Sequence, residues 1–420
     1  MFILYDLLYL LFCFAYVPYL VIKQKWHPHF FMRMGFLPEN LLQRLQQQQN
    51  IWVHAVSVGE VLAVKGVIKQ IRRKFPRYRM VISTVTQTGY VIAQSNFSPS
   101  ETVIYAPLDF SFIARKFINM IKPKLYITAE TEIWPNLLTL LSAAHIPVAQ
   151  INGRISDKSF GGYRRVGFLT RRVLKAMSVF CMQTQSDAQR IITLGASQDN
   201  VQVVGNLKFD DAPLADEFRF EKLGFQDNER VWIAGSTHGG EEDIVLDVYK
   251  KLQPEFKDLR LILAPRHPER TAEILRLVEQ RGFTAIKFSE LRKGKSLDQG
   301  IIVVDTMGHL KALYPLAHLV FVGKSLTVGG GHNIIEPAGL AKPIVFGPRM
   351  DNFKDIVRIF MERKAVIQVE DETDLLVRVR ELLKSPEKMN QLGQRAKEVV
   401  LGNRGAVEKT IDILSKFLKE

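Results

Sequence analysis

The chain has 420 residues, which is enough for two or three domains with full-sized hydrophobic cores and excludes general disorder. Apolar residues make up 47% and charged residues 24%, which excludes collagen-like and low-complexity chains, and two cysteines are too few for a disulfide framework or a cysteine-rich metal site. The net charge is +14, and residues 61–180 carry +13 of it, a field that attracts nucleic acid, an anionic membrane surface or a phosphorylated substrate.

The N-terminal segment 2–22 is apolar at most of its 21 positions. As a helix it would be about 31 Å long, enough to cross the hydrocarbon core of a bilayer. Its start is uncharged and its end runs into Lys23 and Lys25 rather than a small-residue cleavage site, so we interpret it as a retained anchor. The positive flank then leaves the rest of the chain in the cytoplasm. A buried core helix or a helix lying in the membrane interface is the alternative, because Asp6 and the aromatic flanks also suit an interfacial helix.

Short β-branched apolar runs recur between helical stretches along the rest of the chain. In the first half these runs are 51–56, 79–86, 103–107, 125–130, 147–153, 179–184 and 201–206. In the second half they are 231–237, 259–265, 283–288, 300–306, 319–325, 343–347 and 365–369. Strands that are continuous in Val and Ile and separated by helices are typical of parallel sheets covered on both faces. The sequence therefore predicts an α/β fold with two doubly wound, Rossmann-like domains.

The polar stretch 209–229 has no sustained apolar alternation and is interpreted as a linker. It divides the chain into an anchor over 1–22, an N-terminal domain over 23–208 and a C-terminal domain over 230–420. We expect the two domains to face each other across a cleft. Ligands of doubly wound sheets bind outside the carboxyl ends of the strands, where this sequence concentrates glycine and unusual polar residues.

Candidate catalytic residues follow three strands of the first domain. Glu60 lies at a helix start, where the helix dipole favours an ionised carboxylate that can act as a general base, although a simple helix cap is the alternative. Glu130 and Glu132 end another strand, and we expect one to face the ligand and the other to be structural or bound to a nearby arginine. Lys208 lies at a strand end beside the linker, although a lone lysine there is usually a solvated surface residue.

The second domain carries glycine-bearing turns suited to phosphate. The turn 235–242 offers free N–H groups, but it matches neither a Walker A loop nor G-x-G-x-x-G. Arg266 and His267 end a strand and suit a phosphate or a base edge. In the run 328–347, three glycines precede a helix start and Glu336, a pattern that suits a nucleotide phosphate at the loop and two ribose hydroxyls at the carboxylate. A tight turn without ligand is the alternative, and the histidines show no metal-ligand spacing.

Six stretches, in chain order and spread over nearly the whole chain, are WVHAVSVGE, AETEIWPN, GNLKFD, PRHPER, DTMGHL and GGHNIIEPA. Together they resemble the motifs of the 3-deoxy-D-manno-oct-2-ulosonic acid (Kdo) transferases of lipopolysaccharide synthesis. The resemblance implies a GT-B glycosyltransferase fold, a CMP-Kdo donor and a tetra-acylated lipid A precursor (lipid IVA) as acceptor. It also implies inverting transfer at the cytoplasmic face of the inner membrane, with a signal-anchor holding the enzyme there. No cofactor, metal or nucleic-acid partner is expected.

The resemblance assigns roles to individual residues. Glu60 becomes the general base, and Glu130 and Lys208 stabilise the transition state. The residues implied to hold CMP are Arg266, His267, Met307, Gly308, His309, Asn333, Ile334, Ile335 and Glu336. Lys324 departs from the pattern, because many members of the family carry glycine there, and this added cation could bind phosphate or carboxylate or face solvent.

The basic field is expected to meet the anionic inner-membrane surface and the phosphates of the acceptor. Its expected contributors are Arg72, Arg73, Lys74, Arg77 and Arg79, or Arg164, Arg165, Arg171 and Arg172. Two other functions fit the same features. A lipid-linked hexosyl transferase would use a UDP-sugar and not CMP-Kdo, and a non-catalytic membrane adaptor would bind anionic lipid without turnover.

Overall fold

Two seven-stranded parallel β-sheets organise the chain in a computed structural model, which describes residues 5–11, 13–14, 29–97, 99, 101–214, 223, 225–226, 228–295 and 300–419. Each sheet belongs to its own unit. The N-terminal unit is Met1–Asp211 with Arg404–Glu420, and the C-terminal unit is Ala212–Asn403. The predicted α/β class and the two doubly wound sheets are confirmed, and the arrangement of the units across a cleft stays a prediction.

The sheet of the N-terminal unit has one strand for each apolar run predicted in the first half of the chain. The strands are β1 (Gln49–His54), β2 (Tyr78–Thr84), β3 (Thr102–Tyr105), β4 (Pro123–Ala129), β5 (Val148–Gly153), β6 (Val179–Met182) and β7 (Val201–Val203). They lie in the order β3-β2-β1-β4-β5-β6-β7, and all neighbours are parallel. The order reverses between β1 and β4, which makes this point the topological switch point of the sheet.

Strand β1 shows why the apolar runs are continuous. Trp52 packs with Phe117 and Tyr126 in one apolar cluster, whereas Ile51 and Val53 belong to another. Successive side chains of a strand point to opposite faces, so both faces of this sheet are buried. The helices of the unit between residue 30 and its last strand are α1 (Phe30–Arg33), α2 (Glu39–Gln46), α3 (Val58–Lys74), α4 (Gln87–Asn96), α5 (Ser111–Ile121), α6 (Pro135–Ala143), α7 (Asp157–Arg165), α8 (Gly167–Leu174) and α9 (Gln185–Leu194).

The C-terminal unit repeats this plan. Its strands are β8 (Arg230–Thr237), β9 (Leu259–Pro265), β10 (Ala285–Lys287), β11 (Ile301–Val303), β12 (Leu319–Val322), β13 (Ile344–Phe346) and β14 (Ile367–Gln368). Their order is β10-β11-β9-β8-β12-β13-β14, all parallel, with the reversal between β8 and β12. Its helices are α10 (Glu241–Leu252), α11 (Thr271–Gln280), α12 (Phe288–Leu291), α13 (Leu310–Leu313), α14 (Ile335–Gly339), α15 (Lys354–Glu362), α16 (Glu372–Lys384) and α17 (Pro386–Gly402).

The last helix, α18 (Ala406–Ser415), belongs to the N-terminal unit, whereas the sequence analysis placed it in the second domain. It packs on α3, and its apolar residues join the cluster that α3 builds with the sheet. Asp210 fixes this connection, because its carboxylate accepts hydrogen bonds from the N–H groups of Gly405 and Val407, each at 2.6 Å. An amphipathic pattern shows that a helix has a buried face but not which sheet that face covers. Of the predicted linker 209–229, residues 215–222, 224 and 227 lie outside the described residues.

Of the predicted anchor 2–22, residues 5–11, 13 and 14 lie within the described part of the chain and the others lie outside it. Residues 5–11 are helical, and Asp6 accepts hydrogen bonds from the backbone N–H of Ser111 at 2.9 Å and from the side-chain amide of Asn136 at 2.7 Å. This polar interruption in the apolar segment thus holds it against the start of α5. Among the described residues, no helix combines the length and apolarity needed to cross a membrane.

Candidate active site

Glu60 lies in the first turn of α3, where the chain leaves the carboxyl end of β1 beside the switch point. The residue is buried, with 8% of its surface exposed. Its Oε2 atom accepts a hydrogen bond from the backbone N–H of Val56 at 2.8 Å, and its Oε1 atom accepts one from the hydroxyl of Ser57 at 2.9 Å. The turn between strand and helix therefore fixes the orientation of the carboxylate.

The protonation of Glu60 is set by opposing effects. Burial raises the pKa of Glu60 above its ordinary value of 4.5, the hydrogen bonds from Val56 and Ser57 lower it, and the nearby carboxylate of Glu130 raises it. The helix-start position predicts that the helix dipole favours the ionised form, but desolvation outweighs the stabilising hydrogen bonds and the net pKa of Glu60 is raised. A carboxylate whose pKa lies closer to neutral pH is a stronger proton acceptor, which suits a general base.

Glu130 and Lys208 are distant in sequence and meet in this part of the unit. Glu130 directly follows β4, the neighbour of β1, with a left-handed φ of 52°. Its Oε1 atom lies 3.5 Å from Nζ of Lys208, and both side chains are about one-fifth exposed, at 23% and 22%. Lys208 is therefore not a solvated surface lysine, which was the alternative reading of its position.

Glu132 joins the same group of charges, although we expected only one of Glu130 and Glu132 to do so. Its Oε2 atom accepts a hydrogen bond from the indole N–H of Trp134 at 3.0 Å. Burial, followed by the charge of Glu60, raises the pKa of Glu132 to about 7. Because β4 ends at Ala129 and the backbone turns at Glu130, both carboxylates interact electrostatically with Glu60.

Amide side chains that sequence reasoning missed position Lys208. Asn206 accepts a hydrogen bond from the N–H of Lys208 at 3.0 Å and donates one to the side-chain oxygen of Gln183 at 2.9 Å. Asn152 accepts one from the N–H of Leu207 at 3.1 Å. Asn206 lies within the GNLKFD stretch, but Asn152 and Gln183 come from the ends of β5 and β6, and only the strand order brings them to the lysine.

In the C-terminal unit, the fully buried carboxylate of Glu241 organises the switch point between β8 and β12. It accepts hydrogen bonds from the backbone N–H groups of Lys324 (2.6 Å), Ser325 (2.8 Å), Leu326 (2.9 Å) and His238 (2.9 Å). The first three follow β12 and the last follows β8, so one side chain joins the two turns. The expectation that the turn after β8 offers free N–H groups to a phosphate is wrong at His238, because Glu241 already occupies that donor.

The glycine loop after β12 is also bonded within the protein. Gly330 and Gly331 have left-handed φ values of 121° and 67°, and their N–H groups donate to the carbonyl oxygens of Arg349 at 3.0 Å and Lys324 at 2.8 Å. A Cβ on Gly331 would lie 2.3 Å from the sulfur of Met350, so a side chain does not fit. These two glycines therefore form a tight turn, and cationic side chains are better placed than their N–H groups to bind an anion.

The residues implied to hold CMP lie on loops at the carboxyl edge of this sheet. Arg266 and His267 follow β9 and are exposed, and Nδ1 of His267 lies 3.1 Å from a carboxylate oxygen of Glu269. The loop 307–309 lies between β11 and α13, and Met307 is 57% exposed.

The last four implied residues surround the start of α14. Asn333 accepts a hydrogen bond from the N–H of Ile335 at 3.0 Å. The side chains of Ile334 and Ile335 are fully buried, so only their main chain is available to a ligand. Glu336 lies in the first turn of α14, close enough to the buried Tyr314 to add to the effect of burial in raising the pKa of that tyrosine.

The two doubly wound units define a class of α/β protein that includes enzymes of nucleotide-sugar chemistry. A glycosyltransferase from Rickettsia africae aligns with 89% of this chain and 99% of its own, with a TM-score of 0.56 and 14% identity. A UDP-GlcNAc 2-epimerase from Neisseria meningitidis, solved with UDP-GlcNAc bound, aligns with 88% of this chain and 100% of its own, with a TM-score of 0.61 and 13% identity. At this identity the likeness shows the fold alone.

The family follows from sequence similarity. Residues 28–211 match the family described as 3-deoxy-D-manno-octulosonic-acid transferase (kdotransferase). The 3-deoxy-D-manno-octulosonic acid transferase of Haemophilus influenzae is 35% identical over 376 residues, which cover 88% of each chain. The chain therefore belongs to the 3-deoxy-D-manno-octulosonic acid transferase family, glycosyltransferases of lipopolysaccharide biosynthesis, and the predicted resemblance is confirmed. Membership of this enzyme family excludes the alternative that the protein is a non-catalytic membrane adaptor.

Replacing Glu241 with Gln should destabilise the C-terminal unit by about 3 kcal/mol, because an amide nitrogen would face backbone N–H donors and leave buried groups without an acceptor. Hydrogen exchange measures the effect locally, and the amides of Lys324, Ser325 and Leu326 should exchange faster in the variant. Glu387→Gln, in the exposed first turn of α17, is the matched control and should change nothing there. Undiminished protection of the three amides in Glu241→Gln would contradict the role given to this carboxylate.

Proposed function

We propose that the enzyme transfers Kdo from CMP-Kdo to a tetra-acylated lipid A precursor in a single inverting step at the cytoplasmic face of the inner membrane. The proposal rests on one observation above all. The buried carboxylate of Glu60, oriented by two hydrogen bonds, lies in electrostatic contact with Glu130, which is itself paired with Lys208. This arrangement supplies a proton acceptor and a cation at the carboxyl edge of the N-terminal sheet.

Glu60 acts as the general base in this proposal. Its carboxylate takes the proton of the acceptor hydroxyl while the hydroxyl oxygen forms a bond to the anomeric carbon of Kdo and the bond from that carbon to the CMP phosphate breaks. The attack passes through an oxocarbenium-like state and inverts the anomeric centre. The base must be ionised, so activity is lost as the pH falls through the pKa of Glu60, which burial raises above 4.5.

Glu130 and Lys208 stabilise the charges that develop during the transfer. The carboxylate of Glu130 suits the positive character of the oxocarbenium-like carbon, and the ammonium of Lys208 suits the negative charge of the departing phosphate. Their ion pair holds each group ready before substrate arrives, which reduces the reorganisation needed in the reaction.

The donor nucleotide binds the C-terminal unit. Asn333 and Glu336 start α14, and the carboxylate of Glu336 suits the ribose hydroxyls of CMP. The exposed guanidinium of Arg266 and the imidazole of His267 suit its phosphate. The loop 307–309, at the same sheet edge, completes the proposed nucleotide site.

The N-terminal unit binds the acceptor and contacts the membrane. Of its two basic clusters, the cluster on α7 and α8 is better suited to this contact. Arg164 and Arg165 end α7, Arg171 and Arg172 lie on α8, and the exposed Phe168 lies between them at 83% exposure. Cations around exposed apolar side chains suit an anionic lipid surface. The apolar side chains exposed on the described part of the N-terminal segment would add to the contact, namely Leu7, Leu8, Leu10, Leu11 and Phe14.

The other basic cluster, around the end of α3, is partly neutralised within the protein. Arg72 forms an ion pair with the buried Glu101 at 3.0 Å, and Lys74 lies 3.7 Å from Asp412 of α18. Arg72, Arg73 and Lys74 also lie at the far end of α3 from Glu60, about 20 Å away at 1.5 Å per residue. We therefore assign it a structural role.

Glu60→Gln keeps the size of the side chain and removes the proton acceptor, so kcat for Kdo transfer should fall by roughly 10²–10⁴ while CMP affinity is unchanged. The measurement is turnover with a continuous supply of CMP-Kdo, with CMP binding followed by calorimetry. Glu39→Gln, an exposed glutamate in the first turn of α2, is the control and should retain full turnover. If Glu60→Gln turned over at nearly the wild-type rate, Glu60 would not be the general base.

Replacing Arg164, Arg165, Arg171 and Arg172 with Gln should weaken the preference of the full chain for anionic over neutral vesicles by about 1 kcal/mol for each cation removed, and the loss should shrink as salt rises. Replacing Arg73, Lys74, Arg77 and Arg79 removes the same charge from the α3 cluster and should have a smaller effect. Equal losses, or no loss in either variant, would contradict the assignment of α7 and α8 to the membrane.

A further inference from the structure

Cationic and imidazole side chains converge at the switch point of the C-terminal sheet. We define this cationic cluster as Lys324, Arg266, His238, His267 and His332. The ring of His238 lies 5.4 Å from the ring of His267 and 5.4 Å from that of His332. Three turns supply the group, since Lys324 and His332 follow β12, His238 follows β8, and Arg266 and His267 follow β9.

Lys324 is held in an unusual backbone conformation. Its φ of 61° lies in the left-handed region that favours glycine. The N–H of Lys324 donates to Glu241 at 2.6 Å and its carbonyl oxygen accepts from Gly331 at 2.8 Å, so both main-chain groups are fixed. A Cβ placed on Gly330 would lie 3.3 Å from Cε of Lys324, which shows that the side chain runs back along the glycine loop. A lysine does not stabilise this turn better than glycine would, because the backbone conformation favours glycine. The presence of the lysine side chain therefore needs another explanation.

The two cations of the cluster, Lys324 and Arg266, have no ion-pair partner among the residues that the structure describes. The nearby Glu241 is already bonded to four backbone N–H groups. His267 has an acidic partner, Glu269, at 3.1 Å, and the charge of Glu241 acts on His238. Like charges held together without a counter-ion are unfavourable, so the arrangement is suited to an anionic ligand.

The environment of His332 also indicates an anionic ligand. Its Nε2 atom is buried and has no hydrogen-bond partner among the described residues. Burial, followed by the charges of Arg266, His238, Lys324 and His267, lowers the pKa of His332 to about 3, so its imidazole is neutral and can present one N–H donor. An N–H donor close to the charges of Lys324 and Arg266 suits an oxyanion as ligand.

We propose that Lys324, together with Arg266 and His332, binds an oxyanion of the sugar nucleotide and thereby contributes to donor specificity. This inference rests on the proposed function, and it adds to that function a residue, Lys324, and a binding subsite. Two oxyanions of CMP-Kdo have the required chemistry, the phosphate and the carboxylate of the Kdo moiety. A carboxylate on the transferred sugar distinguishes this donor from ordinary hexosyl nucleotides, and a fixed ammonium is a simple means to recognise it.

The test uses Lys324→Gly in the full chain, because glycine suits the left-handed backbone and only the side chain is lost. Lys364→Gly is the matched control, since Lys364 is an exposed lysine with a left-handed φ of 48° in the same unit. Lys324→Arg tests whether a charge alone restores function. The measurements are the KM for CMP-Kdo under continuous donor supply and calorimetric binding of CMP and of cytidine.

Loss of one charged hydrogen bond corresponds to a weakening of roughly ten- to hundredfold. A rise of this size in the KM for CMP-Kdo in Lys324→Gly, with unchanged CMP affinity, identifies the sugar carboxylate as the ligand. An equal loss of CMP affinity with unchanged cytidine affinity identifies the phosphate. Wild-type KM and wild-type CMP affinity in Lys324→Gly would overturn the subsite and leave the proposed function intact, whereas a wild-type chain that neither binds CMP nor uses CMP-Kdo would overturn both.

Discussion

The reversal of strand order at the centre of each sheet is the constraint on which the rest of the structure depends. Between β1 and β4, and again between β8 and β12, the chain leaves neighbouring strands in opposite directions. The carboxyl ends of these strands are therefore not covered by their own connections, and side chains from several turns can meet there. Glu60 and Glu130 meet at the first reversal, and Lys324 and His238 meet at the second.

Carboxylates stabilise turns in both units by accepting backbone N–H groups, and those of Glu60 and Glu241 are buried. Glu241 binds four of these N–H groups, Glu60 binds that of Val56, and Asp210 binds two at the start of α18. An unpaired buried N–H is costly, so each of these acids fixes a loop that no regular ladder would hold. For Glu241 the consequence is chemical as well, because it removes the nearby N–H groups from ligand binding and leaves the cationic side chains to do it.

Much of the fold could be predicted from the sequence, because a parallel strand buried on both faces leaves a continuous apolar run. Every predicted run overlaps a strand, but the runs do not reveal the order of the strands in the sheet. The chemistry of the site was partly visible, since Glu60, Glu130 and Lys208 stand at strand ends. Their mutual contacts were not, because the pairing of Glu130 with Lys208 joins residues 78 positions apart and depends on the register of several strands.

Other features were hidden for identifiable physical reasons. The return of α18 to the N-terminal unit depends on the hydrogen bonds that Asp210 accepts. The amphipathic pattern of a helix does not show which sheet the helix covers. The raised pKa of Glu60 depends on burial, which the helix-start position alone does not reveal. The bonds from the N–H groups of Lys324, Ser325 and Leu326 to Glu241 likewise depend on the packing of two turns from opposite sides of the switch point.

Analysis of the reaction product tests the central claim most directly. Wild-type enzyme would be incubated with tetra-acylated lipid A precursor and a continuous supply of CMP-Kdo, and the product would be examined by mass spectrometry and by NMR of the new anomeric centre. The account predicts a Kdo adduct of the precursor whose anomeric configuration is inverted relative to CMP-Kdo. Retention of configuration, or transfer from a UDP-sugar with none from CMP-Kdo, would contradict it.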